Sequence, residues 1–318
     1  MSKTTVAVIG AGHLGQFHAA KYAASPNATL VGIADTSAER GALIAGKYGV
    51  PSFTDYRELL KQAQAVSIAV PAALHYAIAK DCLEAGLHVL VEKPIAVTLE
   101  DADKMIALAR ASRRVLQVGH VERFNPVGAE LLRQVRQPLF IECHRLAPFK
   151  PRGTDVSVLL DLMIHDLDLI ATLAGAPCVQ IDACGASVLS DSPDIVNARL
   201  RFENGCIANI TSSRVSLKVE RKLRIFQRDG YFSADLGKQE ITIARKLVGD
   251  PPISVEQNKI AGDALELEIE SFLEAVRTGR EAVVTGEAGR LALQLCLEVG
   301  SKMMALGDQR ASWSMHAH

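Results

Sequence analysis

Long apolar runs are missing from this chain of 318 residues: no uninterrupted stretch reaches the about 18 residues that a membrane span needs. Nor does a basic segment followed by an apolar one open it, so the expected partners exclude a membrane and the expected compartment is the cytoplasm. Charge of one sign is equally scarce. With 35 Lys and Arg against 36 Asp and Glu, the formal net charge is -1 and no Lys/Arg block occurs, which leaves nucleic acid without an electrostatic attraction. The six cysteines (Cys82, Cys143, Cys178, Cys184, Cys206, Cys296) show no Cys-x-x-Cys or ligand-like spacing and mostly sit in apolar runs. Reduced core thiols are expected, not a disulfide framework, and no metal. Internal repeats and low-complexity segments are absent too.

What is there is ample apolar material, 48% of residues, in a chain long enough for two domains. The organising stretch is Val6-Ala7-Val8-Ile9-Gly10-Ala11-Gly12-His13-Leu14-Gly15, a short strand-like run that ends in GxGxxG. Gly10 would permit a tight turn, Gly12 a close approach of backbone to a pyrophosphate, and Gly15 packing of helix on strand. Phosphate charge would then rest on the N–H groups of His13, Leu14 and Gly15. A second strand, Leu30-Val31-Gly32-Ile33-Ala34, ends in Asp35, about 20 residues on, where an acid hydrogen-bonds ribose hydroxyls and repels a 2′-phosphate. NAD is therefore expected over NADP, although Arg40 lies near enough to oppose that preference. The plain alternative is a glycine turn with a helix-capping Asp.

From Thr4 to His120, strand-like runs near 5–9, 30–34, 66–70, 88–91 and 115–119 alternate with helical patterns near 14–24, 37–48, 55–63, 75–85 and 99–112. That alternation predicts α/β architecture, an N-terminal Rossmann doubly wound parallel sheet over 1–122 with its ligand crevice at the carboxyl ends of the strands. After Asn125-Pro126 the pattern changes. A helix near 127–136, a strand near 140–145 and a long apolar helix near 156–174 precede strands near 178–187, 195–203, 206–214, 222–228, 231–236 and 239–245. Asn204-Gly205 is a hairpin signal, and Arg228-Asp229-Gly230 a second turn. A C-terminal α+β domain over 123–318 with a mostly antiparallel open sheet is predicted, one face backed by the apolar helix and the other open to water or to another subunit. Helices near 264–278 and 287–306 close the chain, in position to pack back on the first domain, and the tail after Gly307 reads as loosely held.

Two constellations carry chemistry. His88-Val89-Leu90-Val91-Glu92-Lys93-Pro94 ends an apolar strand in a charged pair at the crevice, and Pro94 restrains Lys93 to an extended conformation; the alternative is a surface salt bridge. In the helix near 156–174, Asp161, His165 and Asp168 share a face among apolar neighbours. Such groups line a polar pocket, satisfy one another in the core, or hold a metal. Arg145, Lys150 and Arg152 cluster just before that helix, and guanidinium forks suit a diphosphate; a solvated basic loop is the alternative. Arg123 and Asn125 stand next to the crevice and could hydrogen-bond a sugar, though Asn125-Pro126 is also an ordinary helix start.

The opening GxGxxG, Val70-Pro71 with His75 downstream, Ala85 to Pro94, and Asp161 with His165 four residues on together resemble the glucose–fructose oxidoreductase, inositol dehydrogenase and rhizopine-catabolism (Gfo/Idh/MocA) family. The resemblance covers nearly the whole chain. It implies an NAD(P)-dependent oxidoreductase acting on a sugar or polyol hydroxyl, with Lys93, Asp161 and His165 as catalytic set and commonly a cis bond before Pro94. Val70, Pro71, His75, Glu92 and Lys93 join Gly10, Gly12, His13, Leu14, Gly15 and Asp35 as cofactor-binding candidates. The family usually has Asn after Val-Pro, where this chain has Ala72. Gly119 to Pro126, Arg145 to Gly153, Asp161 to Asp166 and Arg221 to Phe226 are similar to the branch that oxidises the 3-hydroxyl of a UDP-N-acetylamino sugar or the related uronic acid. In that reading Arg123, Asn125, Arg145, Lys150 and Arg152 bind substrate. Members usually form dimers or tetramers through the open sheet. Two other functions compete: a dehydrogenase or reductase of free sugars or inositols, which leaves the Arg145 to Arg152 cluster without a phosphate, and a non-catalytic NAD-sensing regulator, which has no use for proton-transfer groups.

Overall fold

A computed structural model describes residues 3–149, 157–249 and 252–313. The chain divides into two compact units, Met1–Phe124 with Asp263–Leu291, and Asn125–Gly262 with Ala292–His318. In the first, parallel strands β1 (Thr4–Ile9), β2 (Ala28–Ala34), β3 (Ser52–Phe53), β4 (Ala65–Ile68), β5 (His88–Glu92) and β6 (Leu116–Gly119) lie in the order β3-β2-β1-β4-β5-β6. Helices α1 (His13–Ala24), α2 (Ala38–Tyr48), α3 (His75–Glu84) and α4 (Leu99–Ser112) connect them. Strands buried on both faces need continuous apolar runs, and Val6, Val8, Val66, Val89 and Val91 are fully buried. Thr98 caps α4 by accepting from Asp101 N, with Glu100 and Asp101 in the first turn favoured by the helix dipole. The helix α7 (Ala264–Thr278) returns to this unit, where Ile269, Phe272 and Leu273 join its core.

Two expectations change here. The helix expected near 55–63 is reduced to a single 3-10 turn, Tyr56–Leu59, because only Leu59 of that segment is buried, seated over Gly32 of β2. Without an apolar stripe a helix has nothing to dock. Strand β14 (Ile253–Lys259) is not expected from the sequence, since its exposed residues carry no alternation; it adds to a sheet edge through backbone pairing with residues Glu240–Lys246 alone.

In the second unit α5 (Pro126–Gln134) leads to an eight-stranded sheet ordered β14-β13-β12-β11-β7-β10-β9-β8. The strands are β7 (Phe140–Leu146), β8 (Cys178–Ala186), β9 (Ile195–Phe202), β10 (Ile207–Ser213), β11 (Glu220–Gln227), β12 (Gly230–Asp235), β13 (Glu240–Lys246) and β14. All pairs are antiparallel except β7 with β10. β7 thus sits between β10 and β11, which interrupts the expected run of hairpins. Gly205, at φ +87°, makes the β9–β10 turn that Asn204-Gly205 predicts. One sheet face packs on α6 (Ile164–Ala174), entered through a π-type turn at Leu159–Met163, so the long apolar helix comes in two parts. α8 (Gly286–Trp313) extends past the expected end near 306. All six cysteines are free thiols; Cys184 is exposed and Cys178 partly so.

Candidate cofactor and catalytic site

The glycine turn is built as its sequence requires. Gly10 has φ +96°, and a Cβ there would lie 2.5 Å from the Ala69 carbonyl oxygen; one on Gly15 would collide with the Gly10 carbonyl. Gly12 faces open space, with nothing within 4 Å of where its Cβ would project, which leaves a cradle for a phosphate. No side chain among the described residues caps α1, and its first turn holds no acid, so the N–H groups of His13, Leu14 and Gly15 keep their positive end for an anion. His13 and Leu14 are exposed and contribute backbone, their side chains facing solvent.

A cavity of about 380 Å³ lies elsewhere on this unit, but the one over the glycine turn, about 510 Å³, is lined by Gly10, Gly12, Asp35, Arg40, Val70 and Pro71, with Tyr56, Leu74 and Ile78 as apolar wall. Asp35 is nearly buried. Its carboxylate accepts from Ala11 N (2.7 Å), Ser37 N (2.8 Å), Arg40 Nε (3.0 Å) and Arg40 Nη2 (2.6 Å). Burial works to raise its pKa, yet the Arg40 and backbone hydrogen bonds hold the carboxyl below its ordinary value. All four favourable acceptor positions are filled, so a ribose must displace a donor, and Arg40, the half-exposed side chain among them, is the one that can swing into solvent. The turn and the acid together fit a dinucleotide.

At the next loops the picture shifts from contact to support. His75 is buried with Nδ1 2.8 Å from Pro94 O and Nε2 2.9 Å from Val70 O, so its ring sits between the loops after β4 and β5 and, when neutral, donates to one of the two carbonyls. Burial holds its pKa below the ordinary value against both carbonyls and Glu92. It therefore helps to shape the crevice. The Lys93–Pro94 bond is cis, and Lys93 is half-buried at the tip of β5. Glu92 is buried, its Oε1 2.9 Å from His18 Nε2 and its Oε2 accepting from Lys93 N at 3.3 Å. Arg123 closes a short 3-10 turn, Val121–Arg123, directly after β6.

In the second unit Asp161 lies in the π-type turn and is exposed, His165 one turn on is half-buried, and Asp168 is buried. The π-type turn breaks the single face expected for the three. Among the described residues no group of three His, Cys, Asp or Glu is placed to hold a metal ion. Two residues expected at the substrate have partners within the fold. Arg145 points inward from β7, and its Nε and Nη2 bind both oxygens of Asp166 at 2.8–3.0 Å; both residues are buried, so this guanidinium anchors α6 to the sheet. Asn125 is buried, accepts from Val127 N and donates to Leu236 O at 3.0 Å, which makes it the cap of α5. Lys150 and Arg152 lie outside the described residues.

The match to known proteins follows the same two parts. A family model described as "Oxidoreductase family, NAD-binding Rossmann fold" matches residues 4–120, and a "GFO/IDH/MocA C-terminal domain" model matches 138–233. The chain belongs to the GFO/IDH/MocA family. As a member it is an NAD-dependent oxidoreductase, which sets aside the sensor without catalysis. It is 41% identical over 299 residues (92% of this chain, 95% of the relative) to a UDP-N-acetylglucosamine 3-dehydrogenase of Acidithiobacillus ferrooxidans. A solved structure of the enzyme so named from that organism superposes with TM-score 0.92 at 38% identity, covering 96% of this chain and 99% of the other. A myo-inositol 2-dehydrogenase of Thermotoga maritima is 26% identical over 91% of this chain and 93% of its own.

Sequence reasoning missed the supports of this site. His18, Ser67 and Tyr22 form a buried chain behind Glu92, and Asp166 balances Arg145. Signals existed in part: His18 lies one turn after Gly15 on the sheet-facing side of α1, where an imidazole needs a partner.

Proposed function

We propose that this enzyme oxidises a secondary hydroxyl of a sugar, most consistently the 3-hydroxyl of a UDP-N-acetylamino sugar. The observation that carries the reading is the 41% identity, along almost the full length of both chains, to the Acidithiobacillus enzyme named for that activity. NAD, when bound, supplies the hydride acceptor. In this reading Asp35 takes the adenosine ribose, and the N–H groups around Gly12 take the pyrophosphate. Lys93 and His165 are the groups that hold and remove the hydroxyl proton. His165 has the residue type whose ordinary pKa suits a base near neutrality, with Asp161 to orient it; Lys93 either donates to the hydroxyl as a cation or takes the proton itself. Arg123, Lys150 and Arg152 are assigned to the substrate, while Arg145 and Asn125 act by positioning α6 and α5.

The test incubates the purified protein with NAD and a panel of UDP-sugars, free sugars and inositols and follows the absorbance of NADH. Turnover with UDP-N-acetylamino sugars is expected; turnover with free polyols alone would reject the nucleotide sugar and favour the inositol reading that the Thermotoga relative supports. Lys93→Met and His165→Asn are each expected to lower turnover by about a hundredfold or more and to change its pH profile; near wild-type turnover in both would remove the assignment.

The assembly we propose is a homodimer or homotetramer through the open sheet face. Phe140, Phe226 and Tyr231 sit side by side on the face opposite Ile141, Cys143 and Ile225, with ring centroids 6.0 and 5.0 Å apart. Light scattering should give a multiple of the 34.2 kDa chain, reduced towards one chain by Phe226→Glu. The cytoplasm remains the proposed compartment; among the described residues no helix is long and apolar enough to cross a membrane.

A further inference from the structure

Beneath the carboxyl end of β5 runs a chain of buried polar groups that the reaction above does not use. Tyr22 OH lies 2.8 Å from Ser67 Oγ, Ser67 Oγ 3.1 Å from His18 Nδ1, and His18 Nε2 2.9 Å from Glu92 Oε1. Tyr22, Ser67 and His18 are at most 1% exposed. Only one direction satisfies every member: Tyr22 O–H donates to Ser67, Ser67 O–H to His18 Nδ1, and His18 Nε2–H to an ionised Glu92. The reverse needs a protonated Glu92 and leaves the Tyr22 O–H with no acceptor among the described residues, a costly state in the interior. A neutral imidazole feeding a carboxylate leaves one net negative charge there. Burial opposes that charge, but the His18 hydrogen bond and nearby Lys93 hold the Glu92 carboxyl below its ordinary pKa.

A second buried carboxyl lies close by. Glu268 of α7 is fully buried and neither of its oxygens has a hydrogen-bond partner among the described residues. Burial and the Glu92 charge push its pKa well up, so it is the neutral acid of the two. The order of the strands would carry the reacting end of a dinucleotide towards Glu92. Asp35 terminates β2 and the glycine turn follows β1, so a cofactor with its adenosine over β2 and pyrophosphate over β1 runs on across β4 to β5.

We propose that the His18–Glu92 pair, braced by Ser67 and Tyr22, is a fixed anion under the nicotinamide that makes the protein bind NAD+ in preference to NADH, with His18 as its positioning residue. The oxidised ring carries a positive charge and the reduced ring none, so a fixed carboxylate acts on one form only. It also keeps cationic Lys93 and a cationic ring from facing each other unneutralised. The inference rests on NAD chemistry at this site and not on which sugar is oxidised.

The experiment measures Kd for NAD+ and for NADH without substrate, so a wrong sugar assignment leaves it unaffected. Glu92→Gln should shift the ratio Kd(NAD+)/Kd(NADH) upward about tenfold, which for a two-electron couple raises the midpoint potential of the bound couple by about 30 mV. His18→Phe should shift it in the same direction, and His18→Gln, which can still donate to Glu92 and accept from Ser67, should restore most of it. Ser67→Ala tests the brace with little change in volume. The ratio is taken within each variant, so a general loss of affinity from poorer folding cancels. Glu268→Gln should leave the ratio unchanged, because one neutral group replaces another. A ratio within twofold of wild type in Glu92→Gln or in His18→Phe, or a shift in Glu268→Gln as large as that in Glu92→Gln, overturns the proposal.

Discussion

Replacing Asp35 should invert the choice between the two nicotinamide dinucleotides, and the structure gives the size of the change. The carboxylate that would receive the ribose hydroxyls accepts four hydrogen bonds, two of them from Arg40. Bonds to a charged group are worth about 1.5–3 kcal/mol each, but a ribose gains its pair only by displacing Arg40, so the net loss for NADH in Asp35→Ser is about 2 kcal/mol. The same substitution removes repulsion of a 2′-phosphate and releases a guanidinium fork to bind it, for a gain of about 2 kcal/mol with NADPH. Together these move the Kd ratio by roughly 4 kcal/mol, or about a thousandfold. Nicotinamide fluorescence titrations with NADH and NADPH measure it. Asp35→Asn, which keeps an oxygen for Ala11 N but no charge, should fall between. Because the Asp35 pKa is lowered, wild-type selectivity should be constant from neutral pH down to the ordinary carboxylate range and disappear only below it, as the carboxyl takes up a proton. If Asp35→Ser retains the wild-type NADH:NADPH ratio while folded, the adenosine does not lie where the cavity lining puts it.

Arg40→Gln should tighten NADH binding a fewfold and weaken NADPH, since the ribose then meets no competing guanidinium; weaker NADH binding in the same titration would mean that Arg40 grips the cofactor. Arg145→Met should cost about 3–5 kcal/mol by breaking a buried ion pair, and the double substitution Arg145→Met with Asp166→Leu should recover much of it. Urea unfolding reads both, and an Arg145→Met protein of normal stability with a raised KM for substrate would return Arg145 to the substrate site. Asp194 accepts from Val188 N, Leu189 N, Ser190 N, Ser190 Oγ and Arg214 Nε, which hold its carboxyl far below the ordinary range despite burial. A lowered folded pKa contributes stability that is complete above the unfolded value, about 3.9, and is lost as pH falls through the folded one. Asp194→Asn should therefore be destabilised by about 2–4 kcal/mol at pH 7, and the gap should narrow in urea midpoints below about pH 4; a gap independent of pH would refute the charge-based account.

What could be read in advance and what could not divide along range in sequence. The glycine turn, the acid after β2, the helix caps and the Asn204-Gly205 turn are decided within a few residues by backbone sterics and local hydrogen bonds. Each stands where the pattern put it. Strand neighbours are different, because alternation tells which face a residue takes but not which strand lies beside it. Hence β7 between β10 and β11 came as a finding, as did β14, which pairs through backbone while exposing nearly every side chain. Charged residues follow the same division. An arginine in a basic cluster reads as a phosphate ligand until the fold shows the carboxylate opposite it, and Asp166 stands 21 residues from Arg145. Asn125 carried both readings in its own sequence, and the helix cap is the one the fold uses. Most remote of all is the group behind the cofactor crevice: His18 and Glu92 are 74 residues apart, and Glu268 arrives from a helix near the other end of the chain. A glutamate on an amphipathic helix is ordinarily a solvated face, so only burial of both its oxygens distinguishes this one. A buried acid without a partner is tolerated when its proton stays on, and burial first, with the nearby Glu92 charge, favours that state. The same interior that hides these groups from sequence inspection gives the one ionised carboxylate among them its leverage, since a charge screened by water would not separate an oxidised ring from a reduced one.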